Sequence, residues 1–213
     1  MEEKLKLLSR AMQAVMLAVI PVGFLTGNYT WVPAAAISLV ITEIPSLLNR
    51  DLKLVLPAKL NFLIVLALFL HVFGGASGFY DTVPGWDHVT HAFSSSLVAA
   101  LGFIVVLSAD QYVKTIFLPK RFLGVVIAMF TMAMGVFWEL MEFSLDMWTG
   151  SLMQYSLDDT MVDLFFDGAV GIAVAAVGAY YLSSIARDEI VENLGVDKAK
   201  EKIVQIVEKQ KNK

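Results

Sequence analysis

The sequence predicts an all-α polytopic membrane protein with six transmembrane helices and both termini in the cytoplasm. Its composition, the length of its apolar stretches and the placement of its basic residues carry that expectation. Of 213 residues, 57% are hydrophobic and 17% charged, and the mean hydropathy is +0.68, too apolar for a water-soluble domain of this size. Six stretches approach the roughly 20 residues that cross about 30 Å of hydrocarbon; their cores fall at 11–27, 31–48, 57–74, 88–108, 122–145 and 161–184.

The first stretch follows Lys4, Lys6 and Arg10. No small-residue cleavage site follows Gly27, so it reads as a retained span rather than a signal peptide. Arg50, Lys53 and Lys59 lie between the second and third stretches, and Lys114, Lys120 and Arg121 between the fourth and fifth. Arg187 and six lysines follow the last. The other three connections contain no Lys or Arg, and the positive-inside rule then puts both termini in the cytoplasm of a cell-membrane protein. Tyr29, Trp31, Tyr80, Trp86, Trp148 and Tyr155 sit in or beside the lysine-free connections, where an outer interfacial belt belongs. Residues 1–186 are thus the expected transmembrane domain. Residues 187–213 are a charged cytoplasmic tail, whose Ile203, Val204, Ile206 and Val207 recur at the spacing of an amphipathic helix.

Composition also narrows the chemistry. A net charge of −4 offers no basic surface to nucleic acid. The absence of cysteine removes disulfides, thiolate zinc sites and thiol nucleophiles, leaving imidazole and carboxylate. On the predicted outer side lie Asp81, Asp87, Glu139, Glu142, Asp146, Asp158, Asp159, Asp163 and Asp167 together with His71, His88 and His91, facing no Lys or Arg. Ionisable groups in a bilayer are costly and mark pairing, water or function. Here the missing counter-charge points to protons, metal ions or a cationic ligand.

Spacing brings several of these groups onto common faces. Asp87 and His91 are four residues apart, His88 and His91 three, and Glu139 and Glu142 three, while Asp159, Asp163 and Asp167 form a stripe entering the sixth span. At about 1.5 Å per residue, Glu142 lies roughly 9 Å and Glu139 roughly 13 Å below Trp148, while Asp163 lies roughly 7 Å and Asp167 roughly 13 Å below Asp158. His91 is roughly 7 Å below Trp86 by the same measure. Two layers follow: His91, Glu142 and Asp163 above, Glu139 and Asp167 below. Short connections make the last three spans neighbours, so these groups are expected to line one outward cavity. His71 and Glu43 read instead as bonding neighbouring helices, and Gly168, Gly171 and Gly178 as sites of close helix packing.

The segments Trp86-Asp-His-Val-Thr-His-Ala-Phe93, Val136-Phe-Trp-Glu-Leu-Met-Glu-Phe143 and Asp158-Asp-Thr-Met-Val-Asp-Leu164 resemble the three signature regions of the YjdF-like family of small membrane proteins. More distantly they resemble the VanZ-like proteins. The resemblance spans roughly residues 55–185 and implies shared polar positions at Asp87, His91, Glu139, Glu142, Asp159 and Asp163. It brings no settled reaction with it.

The leading expectation is an outward-facing metal site acting on a membrane lipid or lipid-linked substrate. His88, His91, Glu142 and Asp163 would be ligands, with Asp87 and Asp159 beside them, and Glu139 and Asp167 would accept protons in hydrolysis or form the shell of a second metal. Mixed imidazole and carboxylate favours zinc, manganese or iron over calcium as the divalent ion. The same acids also suit a proton- or divalent-cation-coupled transporter, or a non-catalytic scaffold that binds a cationic ligand. Ser94, Ser95 or Ser96 with His91 would suit a serine hydrolase, although no nucleophile elbow accompanies them.

Overall fold

The computed structural model describes residues 2–27, 29–112, 119–150 and 153–184, with isolated positions thereafter. The main helices are α1 (Glu2–Thr26), α2 (Val32–Leu47), α3 (Ala58–Ala76), α4 (Phe79–Thr82), α5 (Trp86–Tyr112), α6 (Lys120–Thr149) and α7 (Leu157–Ser184), and a π-helical turn, Leu48–Leu52, extends α2. Six of the helices are long and apolar enough to cross a membrane. The all-helical membrane architecture expected from the sequence is therefore present. Helices run past the apolar cores because their hydrogen bonding continues into polar flanks; α1 starts at Glu2, with Glu2 and Glu3 in the first turn, where acidic groups complement the helix dipole.

Burial is inverted relative to a water-soluble domain. Phe137, Phe165, Ile172 and Val177 are exposed, whereas Thr131, Glu139, Glu142, Asp163 and Asp167 are buried. Such a surface suits lipid, and such an interior supplies polar groups with the partners that lipid lacks.

The chain forms two compact units. In the first, residues 1–86 with 188–213, helices α1, α2 and α3 pack around Met16, Ala35, Val65 and Val72. Gln13 of α1 donates to Thr42 and Glu43 of α2, at 2.9 and 3.4 Å, so Glu43 does bond a neighbouring helix. His71 Nδ1 meets the Tyr80 hydroxyl at 2.7 Å. Leu194 is buried, and its carbonyl accepts from the Val55 amide. The amphipathic helix expected in the tail falls largely outside the described residues.

In the second unit, residues 87–187, α6 and α7 are antiparallel and closely packed. Met132 lies by Gly168 and Thr131 by Gly171, while Gly124 lies by Ala175. The absence of a side chain at these glycines lets the backbones approach. Helix α5 runs parallel to α7, and Phe103 fills the space over Gly178. The starts of α5 and α7 and the end of α6 therefore meet at one end of this unit. Gly171→Leu should destabilise it by about 1–3 kcal/mol, because the added carbons meet buried Thr131. Thermal unfolding in detergent measures the loss.

Candidate metal centre

Three helices supply the site. Helix α5 presents Asp87, His88, His91 and Ser95, α6 presents Trp138, Glu139 and Glu142, and α7 presents Asp159, Asp163 and Asp167. Spacings of three or four residues put Asp87, His91 and Ser95 on one face of α5, Glu139 and Glu142 on one face of α6, and Asp159, Asp163 and Asp167 on one face of α7. Ser156 Oγ accepts from the Asp159 amide at 3.1 Å, capping the start of α7 and fixing where its acidic stripe begins.

His91 is the hub. It is buried, and its Nε2 lies 3.9 Å from both Asp87 Oδ1 and Asp163 Oδ2, while its Nδ1 lies 3.8 Å from Asp167 Oδ1. These separations are too long for hydrogen bonds. The two sequence-derived layers are thus joined through one imidazole ring. His88 Nδ1–H donates to Asp163 Oδ1 at 3.0 Å, and its ring stacks on Phe166 with centroids 5.6 Å apart. The two oxygens of Asp163 thereby face different histidines.

Candidate ligand atoms gather in two groups, Asp87–His91–Asp163 and His88–Asp159–Asp163, each with all its atoms within 4.8 Å of one another. Both groups contain Asp163. Glu142 and Glu139, which spacing had placed with them, stand apart from both groups. Glu142 Oε1 accepts from the Trp138 indole N–H at 2.8 Å, and the Trp138 ring meets His91 edge-on, centroids 6.4 Å apart. Glu139 Oε2 accepts from Gln154 at 3.3 Å, while its Oε1 is buried without a hydrogen-bond partner.

Asp167 is the deepest of the acids. Ser95 Oγ donates to its Oδ1; its Oδ2 is buried with no partner and packs over Gly135, where a Cβ would overlap it. Among the described residues no Lys or Arg pairs with these carboxylates; the ion pairs of this unit all come from histidine.

A family model described as "Predicted membrane protein (DUF2238)" matches residues 7–184. The chain belongs to that family. It is also similar to an uncharacterized protein of Thermotoga maritima, 28% identical over 116 residues, which cover 53% of this chain and 57% of that protein. No solved structure matches the chain.

Several contacts in this DUF2238 protein lay beyond the sequence analysis. Trp138 was readable as the residue one turn before Glu142, but nothing in the sequence tied it to His91. Gln154 carries no signal at all, since it reaches Glu139 from a loop. Asp146 holds that loop: its Oδ1 and Oδ2 accept from the Met153 and Gln154 amides at 2.8 and 2.9 Å. Asp146→Ala should remove two charge-assisted bonds of about 1.5–3 kcal/mol each and release Gln154 from Glu139. Faster amide exchange at Met153 and Gln154 is the readout. Of the three serines considered as nucleophiles, Ser95 donates its hydroxyl to Asp167 and Ser96 to the Ala92 carbonyl. Neither serine donates to His91.

Proposed function

We propose that this protein binds a divalent metal ion between Asp87, His91 and Asp163 and uses it to hydrolyse a membrane lipid or lipid-linked substrate at the outer face of the cell membrane. Support comes first from the 3.9 Å separations around His91 Nε2. They exceed a hydrogen bond yet fall within twice a metal–ligand distance of about 2.0–2.2 Å, so one ion could touch all three side chains with little movement. The buried, partnerless Asp167 Oδ2 and Glu139 Oε1 add acceptors that a bound ligand would satisfy.

The set of imidazole and carboxylate donors suits zinc, manganese or iron. Such an ion would polarise an ester, amide or phosphate group and favour attack by water. Asp87 and Asp163 would hold the ion with His91, and Trp138, held by Glu142, would keep the imidazole in place. Glu139 and Asp167 would accept protons. The distribution of Lys and Arg supports an outward opening and cytoplasmic termini, with residues 187–213 as a cytoplasmic tail. The resemblance to YjdF-like and VanZ-like proteins is compatible with this reading and adds no reaction to it.

Titration of Mn²⁺ or Zn²⁺ into the purified, chelator-stripped protein tests the reading. Saturable uptake is expected, with the tightest-bound ion lost in His91→Ala and weakened about 10- to 100-fold by Glu142→Ala, which frees Trp138. Unchanged uptake in His91→Ala would end the metal assignment. Divalent-cation flux into proteoliposomes, lost in Glu139→Gln, would replace hydrolysis by transport.

A further inference from the structure

We infer that the site takes a second divalent ion, held by His88, Asp159 and Asp163, with Asp163 bridging the two. The inference rests on the metal reading above and extends it from one ion to a pair.

The geometry of Asp163 carries the argument. Its Oδ1 faces His88 at 3.0 Å and its Oδ2 faces His91 at 3.9 Å. A carboxylate whose two oxygens point to two separate nitrogen donors is placed as a bridge, one oxygen to each ion. Two ions joined this way sit about 3.5–4 Å apart, the arrangement of many hydrolytic centres. Each ion then has its own imidazole and its own second carboxylate: His91 with Asp87, His88 with Asp159. Charge favours the pair as well, since one ion leaves most of the carboxylates of this helix end unmatched and no Lys or Arg among the described residues pairs with them. The partnerless Asp167 Oδ2, 99% of whose residue surface is buried one turn below Asp163, is a further acceptor with no donor from the protein.

The two positions differ in readiness. Around His91 the candidate ligand atoms stand apart, with no hydrogen bond between them to break. At the second position His88 donates directly to Asp163, and an ion must displace that proton. The His91 position therefore fills first, and the His88 position binds about tenfold more weakly. His88 is also the more open imidazole, its side chain 35% exposed against 9% for His91. The second ion is thus the more accessible of the two.

The test is Mn²⁺ alone, added to the full chain in detergent after chelator treatment and followed by equilibrium dialysis and electron paramagnetic resonance. Two ions per chain are expected, the second about tenfold weaker, with an exchange-coupled spectrum at saturation. Asp159→Asn and His88→Gln should each leave one ion and an uncoupled six-line spectrum; Asp163→Asn should lower both affinities. The Asp159 and His88 variants suffice should Asp163→Asn not elute as the native protein does. One ion in the native protein, unchanged in Asp159→Asn, would overturn the second site and leave the proposed function standing. No ion at all would overturn both. Two ions that survive Asp159→Asn and His88→Gln, or that show no coupling, would overturn the bridge.

Discussion

His91→Leu is expected to lower the stability of this protein by about 3–5 kcal/mol and to remove the ion held between Asp87, His91 and Asp163. The imidazole sits within 4 Å of carboxylate oxygens from Asp87, Asp163 and Asp167, and those of Asp163 and Asp167 are almost wholly buried. Leucine fills the space but offers the carboxylates no ring nitrogen, so the acids face one another across an apolar side chain. Removing one member of a buried charged set is far more harmful than replacing the whole set by apolar groups. Hence the double variant His91→Leu, Asp163→Leu should recover part of the loss, a coupling visible in a double-mutant cycle of thermal unfolding in detergent. Native-like unfolding of His91→Leu would mean that the histidine contributes nothing to holding these acids together.

Asp167→Asn has the largest expected effect on turnover. The amide keeps the size of the side chain and an oxygen for the Ser95 hydroxyl, so the fold and the ion should survive. It cannot accept a proton. If Asp167 is the proton acceptor in hydrolysis, release of fatty acid or phosphate from phospholipid vesicles should fall by about 10²–10⁴-fold with Mn²⁺ stoichiometry unchanged. Glu139→Gln is the parallel experiment on the other carboxylate, which Gln154 already partners through Oε2. A residue whose replacement leaves the native rate is not the acceptor, and native rates in both variants would remove the acid–base role from this pair.

Much of the candidate site was legible because helix periodicity is a local property. Once Asp87, His88 and His91 are on one helix, their spacing puts His91 on a common face with Asp87 and with His88 whatever the neighbours do; the same holds for Asp159, Asp163 and Asp167. Depth was legible too, since rise per residue is fixed, and it placed Glu142 beside His91. What depth cannot give is the direction in which a side chain at that level points. Glu142 is turned to its own helix neighbour Trp138 and Glu139 to Gln154 in a loop, so neither is among the ligand atoms that gather around Asp163.

The sequence by itself determined the helices and their membrane character, because hydrogen bonding within each helix and the transfer of its side chains to lipid depend on local composition alone. It also determined that Asp87, Glu139, Glu142, Asp159, Asp163 and Asp167 have only histidine near them in sequence as a basic side chain, since Lys114, Lys120, Arg121 and Arg187 lie toward the other ends of these helices. Which oxygen meets which nitrogen was decided only by tertiary structure. The register of α6 on α7 depends on how closely small residues such as Gly135 and Gly171 let the backbones approach, and that register sets the depth of Asp167 against the site. The rotation of α5 about its axis turns His91 toward both Asp163 and Asp167. These are relations between residues dozens of positions apart, fixed by packing and invisible to any local pattern.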